Sequence, residues 1–161
     1  MKVWVVNASP LILLGKIDQL HLLAALADQV VIPHEVAIEI GAGPTDDPAR
    51  LWLDLEGQTY MVDPAPFDLR VVAWDLGSGE TAVISRALRE PDALCLLDDR
   101  AARDCARLFG AQVKGTLGVL LGAKQAGLLP AVRPAIDALI RAGAQLHESV
   151  VRDALQLADE G

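Results

Sequence analysis

Polar side chains that follow two apolar runs are the first candidates for chemistry in this sequence. Asn7 and Ser9 come directly after the run Lys2–Val6, and Asp98 and Asp99 come directly after Ala93–Leu97. Short apolar runs rich in branched residues are typical of strands in a parallel sheet, and such sheets bind ligands beyond the carboxyl ends of their strands. If these two strands are neighbours, the polar residues project into one crevice. A simpler interpretation is that Asp98 caps the following helix.

Two glutamates could reach the same crevice from helices. Glu80 shares a predicted helix face with Ile84, and a carboxylate on a core-facing stripe is costly unless it has a partner. The alternative, a solvated residue stabilised by the first turn of its helix, stays open. Glu39 lies at the edge of the apolar face formed by Val36 and Ile40. Taken alone, Glu39 would be an ordinary surface residue.

A cluster of these acids would suit a divalent cation. Neighbouring carboxylates repel one another unless a proton or a cation bridges them, and oxygen ligands suit Mg²⁺ or Mn²⁺. Such ions activate water and neutralise the charge of a phosphodiester transition state. A small-molecule phosphohydrolase would use the same acids, so the residues alone leave the substrate open.

Other common catalytic motifs are absent. The sequence contains neither a Gly-x-Gly-x-x-Gly loop after the first strand nor a Walker A lysine loop. Its three histidines lack zinc-ligand spacing, and no Gly-x-Ser-x-Gly nucleophile elbow is present. These absences argue against dinucleotide binding, P-loop chemistry, zinc sites and serine hydrolases.

Short strands alternate with helices along the chain, which predicts an α/β fold with a parallel sheet covered on both faces. Strands are expected at residues 2–6, 29–32, 59–62, 93–97 and 112–114. Residues 63–75 are expected to form a loop. Helices are expected at 10–22 (one, or two short ones), 33–41, 49–55, 76–89, 99–109, 116–126, 130–141 and 149–158. The last two helices, in residues 130–161, form either an extension on one side of the sheet or a surface for self-association.

Length and composition favour one globular domain over residues 1–161. Hydrophobic residues make up 52% of the 161 residues and aromatic residues only 4%, so the core must be aliphatic. The net charge of −8 argues against a protein that coats DNA, and weakly favours a basic partner. No segment is long and apolar enough to cross a membrane, and two cysteines suit buried positions in a reducing cytoplasm. We therefore expect a cytoplasmic protein without a membrane contact.

Five stretches, in the same order, resemble the PIN-domain proteins of the DUF3368 branch, which are related to VapC toxins. They are Val6–Ile12, Val31–Ile40, Leu76–Ile84, Leu96–Arg103 and Gly115–Lys124. The resemblance covers most of the chain. It implies a PIN-like three-layer sandwich, with a central parallel sheet flanked by helices, and a Mg²⁺- or Mn²⁺-dependent endoribonuclease.

The resemblance also assigns roles to residues. By position, Glu39, Glu80 and Asp98 or Asp99 match the acidic residues of the family, and Ser9 matches the residue that supports the first acid. PIN nucleases generally carry aspartate at the position of Asn7, whose amide oxygen can bind a cation but adds no charge. The expected catalytic and metal-binding residues are Glu39, Glu80, Asp98 and Asp99, and Asn7 is expected to be a further metal ligand. Ser9 and Thr116 are expected to support these residues. Thr116 has a competing interpretation as a helix N-cap.

The expected partners follow from the same resemblance. It suggests the toxin of a toxin–antitoxin pair, an RNA substrate, a small antitoxin protein and a homodimer. Arg100, Arg103 and Lys114 are candidates for contacts with the RNA backbone, although a solvated helix face explains the arginines equally well. The alternative function is a catalytically silent PIN module that binds RNA or a partner protein, favoured by Asn7 and the acidic net charge.

Overall fold

The computed structural model describes residues 1–161 and contains four strands and ten α-helices. The strands are β1 (Val3–Val6), β2 (Gln29–Val31), β3 (Ala93–Leu96) and β4 (Gln112–Lys114). The helices are α1 (Ala8–Lys16), α2 (His21–Leu26), α3 (His34–Gly41), α4 (Pro48–Leu55), α5 (Leu69–Val72), α6 (Ser78–Ala87), α7 (Arg100–Leu108), α8 (Thr116–Gln125), α9 (Arg133–Arg141) and α10 (Glu148–Leu157). This alternation confirms the predicted α/β class.

All four strands are parallel and lie in the order β2-β1-β3-β4. The order makes β1 and β3 neighbours at the centre of the sheet, with Val3 opposite Ala93 and Val6 opposite Leu96. Every residue of β1 is buried, as expected for a strand covered on both faces. Because β1 and β3 are in register, the polar residues that follow them emerge at the same edge of the sheet.

The helices pack around this sheet and share its core. Helix α6 packs on β1 and β3, α3 packs on α6, and α8 packs on β4, α2 and α10. The C-terminal helices add Ile136, Leu139 and Leu155 to the same hydrophobic cluster as the sheet. Residues 130–161 are therefore packed onto the sheet layers through apolar side chains.

Two local predictions differ from the structure, and a third had left two options open. The strand predicted at residues 59–62 is wrong, because Glu56–Tyr60 forms a 3₁₀ helix and only an isolated bridge joins Ile32 to Met61. The loop predicted at residues 63–75 contains the short helix α5, capped by the Asp68 carboxylate. Of the two options for residues 10–22, two helices are present, separated by a turn in which Asp18 has φ 57°.

The helices are short, and the longest have ten residues. None of them has the length and hydropathy that a membrane-spanning helix requires.

Candidate functional site

Asn7 lies at the centre of the sheet edge, directly after β1. Its backbone N–H donates to the Leu96 carbonyl at 3.1 Å, which continues the β1–β3 pairing by one residue. The side chain is buried, with 5% of its surface exposed. Its Oδ1 is buried as well and has no hydrogen-bond partner. An unpaired buried acceptor is costly, so this oxygen is suited to bind a ligand that would supply the missing partner.

Gly79, in the first turn of α6, brings Glu39 close to Asn7. A Cβ placed on Gly79 would lie 3.2 Å from Asn7 Oδ1 and 3.4 Å from Glu39 Oε1. The missing side chain lets α6 approach the sheet edge and leaves both oxygens beside the same small space. Glu39 itself is exposed, so its carboxylate can turn towards Asn7 or towards solvent.

Glu80 follows Gly79 and is half-buried. Burial raises the pKa of its carboxyl group, and the negative charges of Asp99 and Glu39 raise that pKa further. Both interpretations of Glu80 are thus partly right, because the residue lies in the first turn of α6 but its carboxylate is partly desolvated and faces other acids. Three acidic residues from α3, α6 and the end of β3 therefore share one electrostatic environment.

Asp98 has a different environment from these acids, because hydrogen bonds occupy both of its oxygens. The Thr116 backbone N–H donates to Oδ1 at 2.8 Å, and the Thr116 and Ser9 hydroxyls donate to Oδ2 at 2.7 Å and 3.1 Å. Asp98 thereby ties the end of β3 to the first turns of α1 and α8. The N-cap interpretation of Thr116 is wrong, because Gly115 occupies the N-cap position of α8 and the Thr116 hydroxyl donates to Asp98.

Asp99 caps α7, so the interpretation of Asp98 as that cap is wrong. Asp99 has extended backbone angles, and its Oδ2 accepts from the Ala102 N–H at 3.0 Å. The chain enters α7 one residue later than expected because Asp98 is already held by Thr116. Asp99 is exposed, and its Oδ1 accepts no hydrogen bond from the protein. One oxygen of Asp99 is therefore free of protein hydrogen bonds, and the charge of Asp99 acts on Glu80.

The donor set fits a hard divalent cation in its chemistry. Asn7 offers an unpaired amide oxygen, and Glu39, Glu80 and Asp99 offer carboxylates, which are the ligands that Mg²⁺ and Mn²⁺ prefer. No three His, Cys, Asp or Glu side chains lie close enough together to hold one ion in their present rotamers. Binding would therefore require the exposed side chains of Glu39 and Asp99 to turn inward.

The three basic residues predicted to contact RNA lie beside this cluster. Arg100, Arg103 and Lys114 all line a groove that Ser9 and Asp98 also line. Arg103 donates to the Leu97 carbonyl at 2.9 Å, and burial lowers the pKa of its guanidinium, as does the charge of Arg107. Lys114 Nζ lies 5.2 Å from the centre of the Trp4 ring, and burial lowers its pKa. The groove does not include Glu39, Glu80 or Asp99.

Sequence reasoning missed three residues that shape the site. Gly79 and Gly115 leave room for functional side chains, since a Cβ on Gly115 would lie 3.1 Å from Asp98 Oδ1 and 2.7 Å from Arg103 Nη1. Arg107 lies in the groove with the predicted cations. Its spacing of four residues from Arg103 was a usable signal, because such residues share a helix face.

Nearly the whole chain matches one protein family. The model of the family DUF3368, described as a PIN domain, matches residues 3–160. No curated protein and no solved structure matches the chain. PIN domains are nuclease-like domains that generally bind divalent metals. The match spans nearly the whole chain and confirms the resemblance inferred from the five stretches, so the chain belongs to the DUF3368 family of PIN domains.

Proposed function

We propose that this protein is a Mg²⁺- or Mn²⁺-dependent endoribonuclease that hydrolyses RNA phosphodiester bonds. The single observation that carries the proposal is the convergence of Asn7, Glu39, Glu80 and Asp99 at the carboxyl edge of the sheet. Like charges are brought together at a cost in stability, and such an arrangement is typical of sites that bind a cation. Family membership supports the same nuclease-like chemistry.

Each residue has a role in this proposal. Asn7 Oδ1, Glu39, Glu80 and the free oxygen of Asp99 would hold the ion, which when bound would activate water and neutralise charge on the attacked phosphate. Asp98 is assigned a positioning role, because Thr116 donates to both of its oxygens and Ser9 donates to one of them. It holds β3, α1 and α8 in the arrangement that keeps Asp99 next to Glu80.

The biological setting is part of the proposal. We infer a toxin of a toxin–antitoxin pair that acts in the cytoplasm as a homodimer and is neutralised by a small antitoxin protein. The support is the resemblance of the five stretches to PIN-domain proteins related to VapC toxins, the membership of the chain in a PIN-domain family, and its net charge of −8, which suits a basic partner segment.

The decisive experiment is cleavage of a mixed RNA pool by purified, partner-free protein in Mn²⁺, in Mg²⁺ and in EDTA. The matched variants are Asp99→Asn, Glu80→Gln and Asp98→Asn. Because asparagine caps helices about as well as aspartate, Asp99→Asn should keep the melting temperature and lose cleavage. Asp98→Asn should also melt earlier, because an amide NH₂ cannot accept the bonds that one carboxylate oxygen accepts now.

Two results would overturn the proposal. One is RNA cleavage that persists in EDTA, and the other is metal-dependent cleavage that Asp99→Asn and Glu80→Gln both retain. A variant protein prepared identically also serves as the control for contaminating ribonuclease, because a contaminant would be unaffected by the substitution.

A catalytically silent PIN module is the second candidate. Two observations favour it: Asn7 contributes no charge at the position where PIN nucleases generally carry aspartate, and the acids are not within reach of one ion in their present rotamers. Under this alternative, Mn²⁺ binding measured by calorimetry would be absent, and Glu80→Gln would change neither metal binding nor RNA binding.

A further inference from the structure

The connection between β3 and α7 carries both aspartates of the candidate site. It consists of the three residues Leu97–Asp99. Asp98 is held by hydrogen bonds from the backbone and side chain of Thr116. Asp99 caps α7, and its charge acts on Glu80. This division of roles between two adjacent carboxylates requires the connection to be held in one conformation.

The Leu97 carbonyl lacks the strand partner that a regular sheet would give it. The Leu97 N–H donates to the Lys114 carbonyl at 2.9 Å, which extends the pairing of β3 with β4. In a parallel pair, a residue that donates to one residue of the neighbouring strand accepts from the residue two positions further along it, which here is Thr116. The Thr116 N–H donates to Asp98 Oδ1 instead, at 2.8 Å. Since Leu97 is fully buried, its carbonyl needs another donor.

Arg103, near the start of α7, supplies that donor. Its Nη1 donates to the Leu97 carbonyl at 2.9 Å, and no other group of the protein does so. The backbone N–H of Arg103 donates to the Asp99 carbonyl at 3.0 Å, as one of the first bonds of the helix. Arg103 therefore contacts the connection at both of its ends. Because its side chain satisfies Leu97, the Thr116 N–H is available to Asp98.

Gly115 leaves the space through which the guanidinium reaches this carbonyl. A Cβ on Gly115 would lie 2.7 Å from Arg103 Nη1, 3.1 Å from Asp98 Oδ1 and 3.5 Å from the Leu97 carbonyl oxygen. Arg103 Nη1 and Asp98 Oδ1 are thus at most about 6 Å apart, close enough for the two charges to attract each other. Burial lowers the pKa of Arg103, and the charge of Asp98 raises it. The guanidinium is not within ion-pair distance of any carboxylate, so the bond to the carbonyl is what fixes its position.

We propose that Arg103 is a positioning residue that holds the connection between β3 and α7, so that Thr116 can bind Asp98 and Asp99 stays beside Glu80. The inference rests on the proposed function where it concerns metal binding, because Asp99 and Glu80 are the proposed ligands. It differs from the RNA contact expected for Arg103, because a positioning role is exerted in the protein without any substrate.

The first test is amide hydrogen exchange, followed by NMR in EDTA. The reporter is the Ala102 N–H, which donates to Asp99 Oδ2, and the reference is the Val5 N–H in the central strand. In Arg103→Met, the Ala102 exchange rate should rise at least about fivefold relative to that of Val5, the effect of one lost hydrogen bond on local opening. A merely structural role would not raise this ratio, because a general loss of stability accelerates exchange of Val5 at least as much.

The second test is Mn²⁺ binding, measured by calorimetry well below the melting temperature. Removal of a positive charge near a cation site strengthens cation binding, whereas loss of a residue that orients the ligands weakens it. Arg103→Met should therefore bind Mn²⁺ about tenfold more weakly than the wild type. The matched control is Arg107→Met, which removes the same charge from an exposed residue of α7 and should bind at least as tightly as the wild type. Arg103→Lys keeps the charge and one donor, so it should lie between the wild type and Arg103→Met in both tests.

Two outcomes would overturn the role of Arg103: an exchange ratio in Arg103→Met equal to that of the wild type, or a Mn²⁺ affinity of Arg103→Met equal to that of Arg107→Met. A wild type that binds no Mn²⁺ while Arg103→Met raises the exchange ratio would refute the metal site and support the role of Arg103 in holding the connection. Failure of this inference and failure of the nuclease proposal therefore give different results.

Discussion

Replacing Asn7 by aspartate tests the candidate metal site most directly. The oxygen of residue 7 and Glu39 Oε1 lie 3.2 Å and 3.4 Å from the same point beside Gly79, so they are at most about 7 Å apart. Two unit charges at that separation repel by roughly 2 kcal/mol at an effective dielectric constant of 20, and by about 1 kcal/mol once the exposure of Glu39 is considered. Asn7→Asp should therefore destabilise the metal-free protein.

Burial adds a second cost. Residue 7 is only 5% exposed, so a carboxylate there loses most of its hydration. Since the new group can bind a proton instead of ionising, the total cost at pH 7 cannot exceed about 4 kcal/mol, the free energy of protonating a normal aspartate at that pH. We expect a loss of about 2–4 kcal/mol in EDTA, which corresponds to a melting temperature lower by roughly 5–15 °C for a chain of this size.

Metal should reverse this effect. A fourth negative charge strengthens the attraction for Mn²⁺, so Asn7→Asp should bind the ion at least about tenfold more tightly in calorimetry and recover most of its melting temperature in saturating Mn²⁺. The control is Gln112→Glu, which adds the same charge at an exposed position on β4. If both variants melt alike in EDTA and Mn²⁺ affinity is unchanged, the space beside Gly79 is not a metal site and the reasoning fails.

Three further predictions follow from charges and close contacts. The pKa of Glu80 is raised in the folded protein, so ionisation of Glu80 costs stability once the pH exceeds the pKa of this group in the unfolded chain. In EDTA, Glu80→Gln should therefore melt at a higher temperature than the wild type at pH 7, and the difference should vanish towards pH 4. The reverse holds for Glu160, whose pKa is lowered to about 2 by bonds from the Val132 and Arg133 N–H groups and from Lys124. Glu160→Gln should lower the melting temperature at pH 7, and the deficit should disappear as the pH falls from about 4.5 to about 2. Gly79→Ala should weaken Mn²⁺ binding about tenfold in calorimetry, because the added methyl group would separate Asn7 from Glu39. The control Gly41→Ala should leave the affinity unchanged, because a Cβ at that position meets no atom within 4 Å. Equal Mn²⁺ affinities of the two variants would contradict the geometry.

The elements were largely predictable because their signals are local. The apolar runs that became β1, β2 and β3 are short and bounded by polar residues or proline, and the helices between the strands have prolines, glycines and caps at their ends. The strand expected at residues 59–62 failed because strand formation depends on a partner, and this segment meets only Ile32 through one bridge. The stack of Tyr60 on Trp52, with ring centres 5.9 Å apart, accompanies the 3₁₀ turn that forms instead.

The candidate site divides in the same way between local and tertiary information. From the sequence alone, the polar residues after two strands and the acids Glu39 and Glu80 could be singled out, because residue type and hydrophobic period identify where strands end and which helix face is apolar. Which of the two aspartates faces the acids could not be predicted, because it depends on Thr116, 18 residues away from Asp98 along the chain. The groove likewise exists only after β4 and the C-terminal helices have packed beside α7. Local chemistry therefore determined the candidates. Contacts between residues far apart in sequence, namely the pairing of β1 with β3 and the packing of α8, decided which of the candidates lie together.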